Sequence, residues 1–351
     1  MKELKNFYEG KTILVTGGVG SIGSEIVRKI LEFNPKVVRV LDINETGLFD
    51  LEQELRLEKF RPLVGDVRDK ERLKRAVEDI DIVFHAAALK HVPLCEYNPF
   101  EAVKTNVFGT QNIIEAAMEK EVEKFITIST DKAVNPINVM GATKLLAERL
   151  TISANFYKGD RETAFSCVRF GNVLYSRGSV LPLFEEQIKK GFITLTNPEM
   201  TRFIMNTSQA VELILKAAEI AKGGEIFILK MPAVRIEDLA EVMIEKLAPK
   251  YGYKTEEIEI KTIGKRAGEK LYEELMTEEE AMNAYEDEEM FIVLPQTFDV
   301  TGKLLYKLPD NFKKAQKREY SSKGVESLTI EEIKLLLNEL NSRYGANKQS
   351  Q

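Results

Sequence analysis

The sequence contains no tryptophan and, among its 351 residues, only two cysteines and two histidines. Cys95 and Cys167 are too few for a disulfide framework, and neither lies at a metal-ligand spacing, so we interpret both as small apolar core residues. His85 and His91 are likewise too few to predict a zinc site built on histidine. No metal site is therefore expected.

Long apolar runs are also absent. No segment approaches the roughly 20 apolar residues that cross a bilayer. The first ten residues, MKELKNFYEG, are charged and lack the apolar run of an export signal. We therefore expect a cytoplasmic protein without membrane contact. The formal net charge of −6, from 50 basic and 56 acidic residues, argues against a general nucleic-acid binder.

The first half of the sequence alternates short β-branched runs with longer amphipathic stretches. The runs predict strands over residues 12–16, 37–42, 62–64, 82–86, 125–129 and 164–169. The stretches predict helices over residues 21–32, 46–57, 70–77, 100–120 and 140–157. Such alternation makes a parallel sheet with helices on both faces, because right-handed crossovers allow little else. We predict the α/β class, with a Rossmann-type doubly wound parallel sheet.

A glycine-rich turn joins the first predicted strand to the first predicted helix in KTILVTGGVGSIGSEIVRKIL. Gly17, Gly20 and Gly23 let the backbone turn tightly and approach a pyrophosphate, which would lie at the helix N-terminus. Asp42 ends the second strand 19 residues after Gly23, the position of a carboxylate that binds the adenosine ribose. The pattern predicts a dinucleotide-binding turn.

The residues around Asp42 bear on the choice between NAD and NADP. A carboxylate there disfavours a 2′-phosphate, so NAD is the first choice. Arg39 on the same strand, with Asn44 and Glu45 after it, leaves NADP open. Gly65-Asp66-Val67, after the third strand, has the usual position of an adenine contact.

The pattern of elements changes after about residue 175, where they become shorter and proline and glycine more frequent. We predict that residues 1–175 form mainly the NAD(P)-binding Rossmann domain. Residues 176–345 would form mainly a smaller C-terminal substrate-binding lobe, with some elements returning to the first domain. Residues 346–351 are expected to be a frayed tail.

TGGVGSIG, HAAALKHV, STDKAVNP and MGATK together resemble the extended short-chain dehydrogenase/reductase superfamily. STDKAVNP with RFGNVLYSRGSV, PEMTRF and GEKLYEEL resembles its polysaccharide-biosynthesis group of nucleotide-sugar dehydratases, typified by UDP-N-acetylglucosamine 4,6-dehydratase, over about residues 8–290. The resemblance implies a lyase that oxidises C4, removes the C5 proton, eliminates the C6 hydroxyl and returns the hydride to C6. It implies tightly bound NAD or NADP, regenerated each cycle, and a lobe that binds a UDP-sugar.

FITISTDKAVNP lies at the carboxyl end of a predicted strand, where open α/β sheets bind ligands. By resemblance, Asp131 protonates the leaving C6 oxygen and Lys132 removes the C5 proton. The acid must be partly protonated and the amine partly neutral, and desolvation in a closed pocket shifts each pKa in the required direction. The alternative interpretation is a capping aspartate beside a solvated lysine.

Met140 stands where most relatives carry a catalytic tyrosine, and a thioether has no proton to give. The resemblance includes a branch of active dehydratases with methionine in this triad position, so Met140 does not imply an inactive enzyme. Lys144, one helical turn later on the same face, would bind the nicotinamide ribose, and Thr130 would supply the triad hydroxyl. Asp131, Lys144 and a water relay remain candidate acceptors of the C4 hydroxyl proton, and our hypothesis is Asp131.

The other site residues follow from the resemblance. Asn106 would support the active-site backbone, and Lys90 would contact the sugar or its phosphate. The predicted cofactor-binding residues are Gly17, Gly20, Ser21, Ile22, Gly23, Asp42, Asn44, Asp66, Val67, Ala86, Ala87, Ala88, Lys90, Asn106 and Lys144. The predicted substrate-binding residues are Lys90, Arg169, Asn172, Ser179, Val180, Thr194, Arg202 and Glu269.

Two other functions stay open. A C4 or C5 epimerase would use the same early steps, but a 4-epimerase needs no acid at C6, so STDK favours elimination. A non-catalytic dinucleotide-binding protein is favoured only by Met140. We also expect a homodimer or higher homo-oligomer, because relatives associate through paired long helices, here residues 100–120 and 140–157.

Overall fold

The structure, a computed structural model, describes residues 2–174, 176, 178–265, 268–295, 308–309, 311–316 and 319–344. The expected frayed tail lies outside the described residues. The described strands are β1 (Thr12–Thr16), β2 (Val37–Asp42), β3 (Phe60–Val64), β4 (Ile82–His85), β5 (Lys124–Ile128), β6 (Ala164–Arg169), β7 (Asn172–Val173), β8 (Phe192–Leu195), β9 (Thr201–Met205), β10 (Ile226–Leu229), β11 (Ala233–Arg235), β12 (Glu259–Thr262), β13 (Glu274–Met276), β14 (Ala284–Glu286), β15 (Met290–Val293), β16 (Lys313–Lys314) and β17 (Tyr320–Ser321).

The described α-helices are α1 (Lys2–Tyr8), α2 (Ser21–Leu31), α3 (Glu45–Leu55), α4 (Lys70–Ala76), α5 (Val92–Tyr97), α6 (Pro99–Val103), α7 (Gly109–Glu119), α8 (Val139–Tyr157), α9 (Val180–Ile188), α10 (Thr207–Ile220), α11 (Ile236–Leu247), α12 (Glu278–Ala281) and α13 (Ile330–Tyr344). Residues contact one another in two compact units. Unit 1 comprises Met1–Phe170, Ser208–Lys230 and Leu275–Glu319. Unit 2 comprises Gly171–Thr207, Met231–Glu274 and Tyr320–Gln351.

Unit 1 is built on a sheet in which ten of the described strands take the order β16-β14-β15-β10-β6-β5-β4-β1-β2-β3. The strands from β10 to β3 pair in parallel, and β15, β14 and β16 add an antiparallel edge. Strands β1, β4, β5 and β6 are buried along their whole length, as expected for parallel strands covered on both faces. The predicted Rossmann-type doubly wound fold is confirmed.

The sheet's carboxyl edge positions the site. Strand order reverses between β1 and β4, and open α/β sheets bind ligands beside such a reversal. The loops after β1, β4 and β5 carry the glycine turn, the HAAALKHV segment and the STDK segment. Three predicted motifs therefore follow strands at one edge of one sheet.

The helix predicted over residues 100–120 is present as residues 99–119, but it is not α-helical throughout. The segment is divided into α6, a π turn at Lys104–Phe108, and α7. Thr110 Oγ1 donates a hydrogen bond to the carbonyl oxygen of Asn106 at 2.7 Å, and such side-chain bonds compete with the regular backbone ladder. The turn widens where Asn106 meets the loop after β4, and π turns often occur at functional sites.

Unit 2 has its own small sheets and core. Strand β9 pairs in parallel with β7 and antiparallel with β11, and β8 pairs in parallel with β12. Helices α9, α11 and α13 contribute Phe184, Leu239 and Ile333 to one buried cluster with Ile193 of β8. The unit therefore has an apolar core independent of the large sheet.

Candidate active site

The turn after β1 has the geometry of a phosphate cradle. Gly17 has φ +66°, and a Cβ there would lie 2.6 Å from the backbone of Ala87. A Cβ on Gly23 would overlap the carbonyl oxygen of Gly17. Gly20 is the N-cap of α2 and makes no side-chain capping bond, so Ser21 and Ile22 open a helix whose first amides suit an anion. The residues present fit a dinucleotide pyrophosphate.

The end of β2 provides a carboxylate beside this turn. Asp42 accepts hydrogen bonds from the amides of Val19 at 3.2 Å and Asn44 at 3.0 Å. Asn44 uses its own side chain to cap α3, accepting the amide of Gly47 at 3.0 Å. Arg39, which left NADP open, donates instead to the carbonyl oxygens of Ala76 and Glu78. Asp42 is thereby joined to the glycine turn, and Arg39 is committed elsewhere.

Two further loops border the predicted cofactor site. Burial opposes ionisation of Asp66, but hydrogen bonds from Arg68 leave the pKa of this carboxyl lowered. Val67, 4% exposed, belongs to the apolar core, so any cofactor contact at Val67 would be through its backbone. The Ala86–Ala88 segment follows β4, where the amides of Ala86 and Ala87 donate to Thr16 at 3.1 and 3.4 Å.

The STDK segment forms an acid–base pair. The 3₁₀ turn Asp131–Ala133 follows β5, and Thr130 Oγ1 donates to Asp131 Oδ1 at 2.6 Å. Lys132 Nζ lies 2.9 Å from Asp131 Oδ2 and 3.1 Å from Oδ1. The Asp131 side chain is 1% exposed and that of Lys132 is 32% exposed. A buried carboxyl group therefore contacts an amine that is partly exposed to solvent.

Helix α8 positions Lys144 behind this pair. Asn138 caps the helix by accepting the amide of Gly141 at 2.7 Å. A Cβ on Gly141 would overlap the carbonyl oxygen of Lys132, so only glycine allows this close approach. Lys144 Nζ donates to the carbonyl oxygen of Ile128 at 2.6 Å, and burial lowers its pKa. The lysine, the loop and the end of β5 are thus held together.

Met140 lies one turn before Lys144 and is 4% exposed. It shares an apolar cluster with Cys95 and Ala102. Its side chain therefore packs α8 against α5 and α6. This contact explains the apolar residue at the position but supplies no proton acceptor.

Asn106 connects the loop after β4 to α8. Its Oδ1 accepts the amide of Leu89 at 2.8 Å, and its Nδ2 donates at 3.0 Å both to the carbonyl oxygen of Leu89 and to Thr143 Oγ1. Ser129 has a buried hydroxyl without a hydrogen-bond partner among the residues described, a group that a ligand would satisfy. Sequence reasoning missed Thr143 and Ser129, although MGATK and STDK contain them.

Arg169 was predicted to contact substrate, and its surroundings do not support that role. Its guanidinium donates to Glu148 at 2.7 and 3.0 Å, to Glu280 at 3.0 Å twice, and to the carbonyl oxygen of Leu275 at 2.8 Å. Burial opposes the charge, but Glu148 and Glu280 raise the pKa of Arg169. Every N–H of this 1% exposed side chain is engaged, so we correct the prediction to a structural ion-pair network.

Within unit 2, Glu273 joins two of the predicted substrate residues. Its Oε2 accepts Asn172 Nδ2 at 2.7 Å, and its Oε1 lies 3.2 Å from Arg202 Nε. The remaining guanidinium bonds of Arg202 go to the carbonyl oxygens of Thr201, Lys270 and Leu271. Sequence reasoning missed Glu273, which stands in GEKLYEEL beside Glu269. Arg202 therefore orders the backbone around Glu269, which is itself half-buried.

The other predicted substrate residues lie in separate segments of the chain. Ser179 is the N-cap of α9, which begins at Val180, and its buried Oγ lacks a partner among the residues described. Thr194 in β8 is paired with Gln187, through bonds of 2.7 and 3.0 Å. Lys90, in unit 1, is exposed after β4. Among the described residues of unit 2, the helix start at Ser179 has amides that suit an anion.

Comparison with known proteins finds a matching family model and several similar proteins. The sequence model of the polysaccharide biosynthesis protein family matches residues 13–295. A Methanocaldococcus jannaschii protein named an uncharacterized membrane protein is 68% identical over 340 residues, covering 97% of this chain and 98% of its own. The UDP-N-acetylglucosamine 4,6-dehydratase (inverting) of Campylobacter jejuni is 42% identical over 291 residues, covering 82% and 84%. The UDP-glucose 4-epimerase of Rickettsia rickettsii is 40% identical over 332 residues, covering 93% and 95%.

Among solved structures, Pen from Bacillus thuringiensis is similar to this chain, with a TM-score of 0.87, 48% identity and coverage of 95% of this chain and 98% of that one. The doubly wound sheet, the glycine turn and the lysine of α8 define an enzyme of the short-chain dehydrogenase/reductase type. The chain belongs to the polysaccharide biosynthesis protein family, which includes nucleotide-sugar dehydratases and epimerases. None of the described helices combines the length and apolar composition needed to cross a membrane.

Proposed function

We propose that this protein is a nucleotide-sugar 4,6-dehydratase whose substrate is UDP-N-acetylglucosamine. The observation that carries the proposal is the contact of buried Asp131 with Lys132 at 2.9 Å at the carboxyl end of β5. Elimination across C5 and C6 needs two proton-transfer groups near adjacent carbons, and a carboxyl beside an amine meets that need. The relative from Campylobacter jejuni supports the choice of sugar nucleotide.

The cofactor we propose is NAD. Asp42 at the end of β2 and the diversion of Arg39 to backbone carbonyls support a ribose without a 2′-phosphate. When bound, the nicotinamide would supply hydride chemistry at C4 and C6 of the hexose. Lys144, fixed beside the end of β5 by its bond to Ile128, would hold the nicotinamide ribose hydroxyls.

Asp131 and Lys132 would divide the proton transfers. The Asp131 carboxylate takes the C4 hydroxyl proton, and the neutral amine of Lys132 takes the C5 proton. Asp131 then gives its proton to the departing C6 oxygen, which leaves as water. Lys132, after exchange with solvent, returns a proton to C5, so both side chains end with the protons that they held at the start. Thr130, bonded to Asp131 Oδ1, would hold the carboxyl group in position for both proton transfers.

In unit 2 we assign the sugar nucleotide to the residues around Asn172 and Ser179. The buried hydroxyl of Ser179, which has no hydrogen-bond partner among the described residues, supports a diphosphate contact at the start of α9. Arg202 and Glu269 remain proposed nucleotide contacts, and Thr194 a proposed base contact. Arg169 is left out because its donors are all engaged.

We also propose a homo-oligomer formed through the long helices of unit 1. Phe100, Phe108, Phe156 and Tyr157 are 79%, 54%, 55% and 76% exposed, and large exposed aromatic side chains favour association. Sedimentation equilibrium should give a mass above the 39.9 kDa of one chain. A monomer at micromolar concentration would contradict this part of the proposal.

The test of the activity is incubation with UDP-N-acetylglucosamine in deuterated water, followed by NMR. We expect a 4-keto-6-deoxy product with deuterium at C5. Lys132→Met should abolish product formation, whereas Lys190→Met, at an exposed lysine, should not. A product changed only in configuration, with its C6 hydroxyl intact, would establish the epimerase alternative that the Rickettsia relative favours. Dinucleotide binding with no turnover would establish the non-catalytic one.

A further inference from the structure

His85 is a buried titratable residue that the proposed chemistry does not use. It ends β4 and is 1% exposed. Its Nδ1 lies 2.8 Å from Thr16 Oγ1, and its Nε2 lies 2.9 Å from Thr110 Oγ1. Both ring nitrogens therefore have hydroxyl partners on different elements, β1 and α7.

The bonding partners determine which ring nitrogen carries the proton. Thr110 gives its only hydroxyl hydrogen to the carbonyl oxygen of Asn106 at 2.7 Å, so it must accept from Nε2–H of His85. A neutral ring then accepts at Nδ1 from the hydroxyl of Thr16. Thr16 Oγ1 in turn accepts the amide of Ala87 at 3.4 Å. The result is one directed chain of hydrogen bonds from Ala87 to Asn106.

Burial keeps this ring neutral. Desolvation, with a smaller contribution from the positive charge of Lys144, lowers the pKa of His85 to about 3. The described ring beside it is Phe125, with centroids 6.1 Å apart, an apolar neighbour that provides no counter-charge for a protonated imidazole. The direction of the chain is therefore preserved throughout the pH range in which the enzyme would act.

The two ends of the chain reach the two loops of the site. At one end, Thr16 precedes Gly17 of the phosphate turn, and Ala87 packs against that glycine. At the other end, Asn106 holds Leu89 by its amide and its carbonyl oxygen and also bonds Thr143 of α8. A change at His85 would therefore be transmitted to the cofactor turn and to the loop that carries Lys90.

We propose that His85 is a positioning residue whose neutral Nε2–H tautomer fixes the π turn at Asn106, and through it the loop after β4. Its catalytic consequence depends on the proposed dehydratase function, but its structural consequence does not. The loop order can be measured without any substrate, so failure of one proposal can be distinguished from failure of the other.

Thr110→Val and Thr110→Ser form the matched test. Valine keeps the shape but removes the hydroxyl that links His85 to Asn106, while serine keeps it. We expect hydrogen exchange at the Leu89 amide to accelerate about tenfold in Thr110→Val, the order expected from losing one net hydrogen bond, and to return to near the wild-type rate in Thr110→Ser. NAD affinity and turnover should fall and recover in the same pattern.

Thr127→Val is the control. Thr127 lies opposite His85 in the neighbouring strand β5, is fully buried and bonds Thr151 at 2.7 Å. Removing the Thr127 hydroxyl breaks a comparable buried hydrogen bond but none of the bonds between Ala87 and Asn106. Hydrogen exchange at the Leu89 amide should therefore stay at the wild-type rate. His85→Gln, which retains a donor for Thr110, should resemble the wild type more than His85→Leu does.

The proposal is overturned if Thr110→Val leaves Leu89 exchange and NAD affinity within about twofold of wild type, less than one net hydrogen bond is worth. It is also overturned if Thr127→Val accelerates Leu89 exchange equally. Should His85→Leu fail to fold, the two Thr110 variants still decide the question. If Thr110→Val accelerates Leu89 exchange but the wild-type protein has no dehydratase activity, the positioning role is upheld and the proposed function is rejected.

Discussion

Two ion-pair groups lie at the carboxyl ends of the neighbouring strands β5 and β6, and they differ in how completely their charges are partnered. Arg169 is 1% exposed and places every guanidinium N–H on Glu148, Glu280 or a carbonyl oxygen. Asp131 is equally buried, but its ion-pair partner Lys132 is 32% exposed. The first group is closed to a ligand. The second has an amine that is partly exposed to solvent.

The difference distinguishes a fully partnered buried charge from the pair that we propose to be catalytic. A buried cation with every donor satisfied has nothing left to offer a substrate, and disturbing it costs stability. A buried acid next to an accessible amine can exchange protons with a bound molecule. We therefore expect substitutions at Arg169 to affect folding and substitutions at Asp131 to affect turnover.

The largest expected effect is that of Arg169→Met on stability. The substitution leaves the carboxylates of Glu148 and Glu280 buried without their counter-charge, at a cost of about 3–5 kcal/mol in the free energy of unfolding. Urea unfolding measures the loss. Arg161→Met, at an arginine 43% exposed, should change stability by less than about 0.5 kcal/mol. A loss at Arg169 no larger than at Arg161 would mean that the network is not structural.

Asp131→Asn, in contrast to Arg169→Met, should reduce turnover far more than stability. Asparagine keeps the shape and an acceptor for Thr130 but cannot take or give the proton, so turnover should fall about a hundredfold or more. The unfolding free energy should change by only about 1 kcal/mol. Release of the 4-keto-6-deoxy product measures turnover, with Asp160→Asn at an exposed position as control. Turnover close to wild type would exclude Asp131 as the proton carrier.

Substitutions at Met140 test whether apolar packing beside Asp131 and Lys132 affects stability and turnover. Because Met140 fills a cluster with Cys95 and Ala102, the larger ring and hydroxyl of Met140→Tyr should destabilise the fold by about 1–3 kcal/mol. Met140→Leu, similar in volume, should cost less than about 1.5 kcal/mol. Thermal unfolding and turnover are measured together. A tyrosine variant with wild-type stability and sharply higher turnover would show methionine to be a handicap.

Local patterning explains why much of the fold could be predicted. The bounds of β1, β2 and β6 match the prediction because each is a compact apolar run between turn residues. The π turn at Lys104–Phe108, where the amide of Gly109 donates to the carbonyl oxygen of Lys104, could not be predicted because it depends on a choice among backbone hydrogen bonds. Periodicity does not encode such a choice.

The site could be predicted only in part, for a related reason. The STDK motif placed Asp131 and Lys132 beside each other in sequence, so their contact required no long-range information. The role of Arg169 depended on Glu148 and Glu280, which lie 21 and 111 residues away. Without those partners, an arginine in VRFGNV is indistinguishable from a phosphate ligand. Its burial and its partner set, which only the fold supplies, decided the matter.

The smallest expected effect concerns His85, a third buried group with complete partners, at the end of β4. Its folded pKa of about 3 lies below the ordinary value of 6.5, so below pH 6.5 the unfolded chain binds a proton that the folded chain refuses. Stability is therefore lost as pH falls, and the loss from about pH 7.5 to about pH 5.5 should be about 1.4 kcal/mol greater in wild type than in His85→Gln. Urea unfolding at the two pH values measures it, and His91→Gln, at an exposed histidine, should follow wild type. If the unfolding free energies of wild type and His85→Gln fall equally between the two pH values, the folded ring accepts the proton. That result would contradict the neutral Nε2–H tautomer.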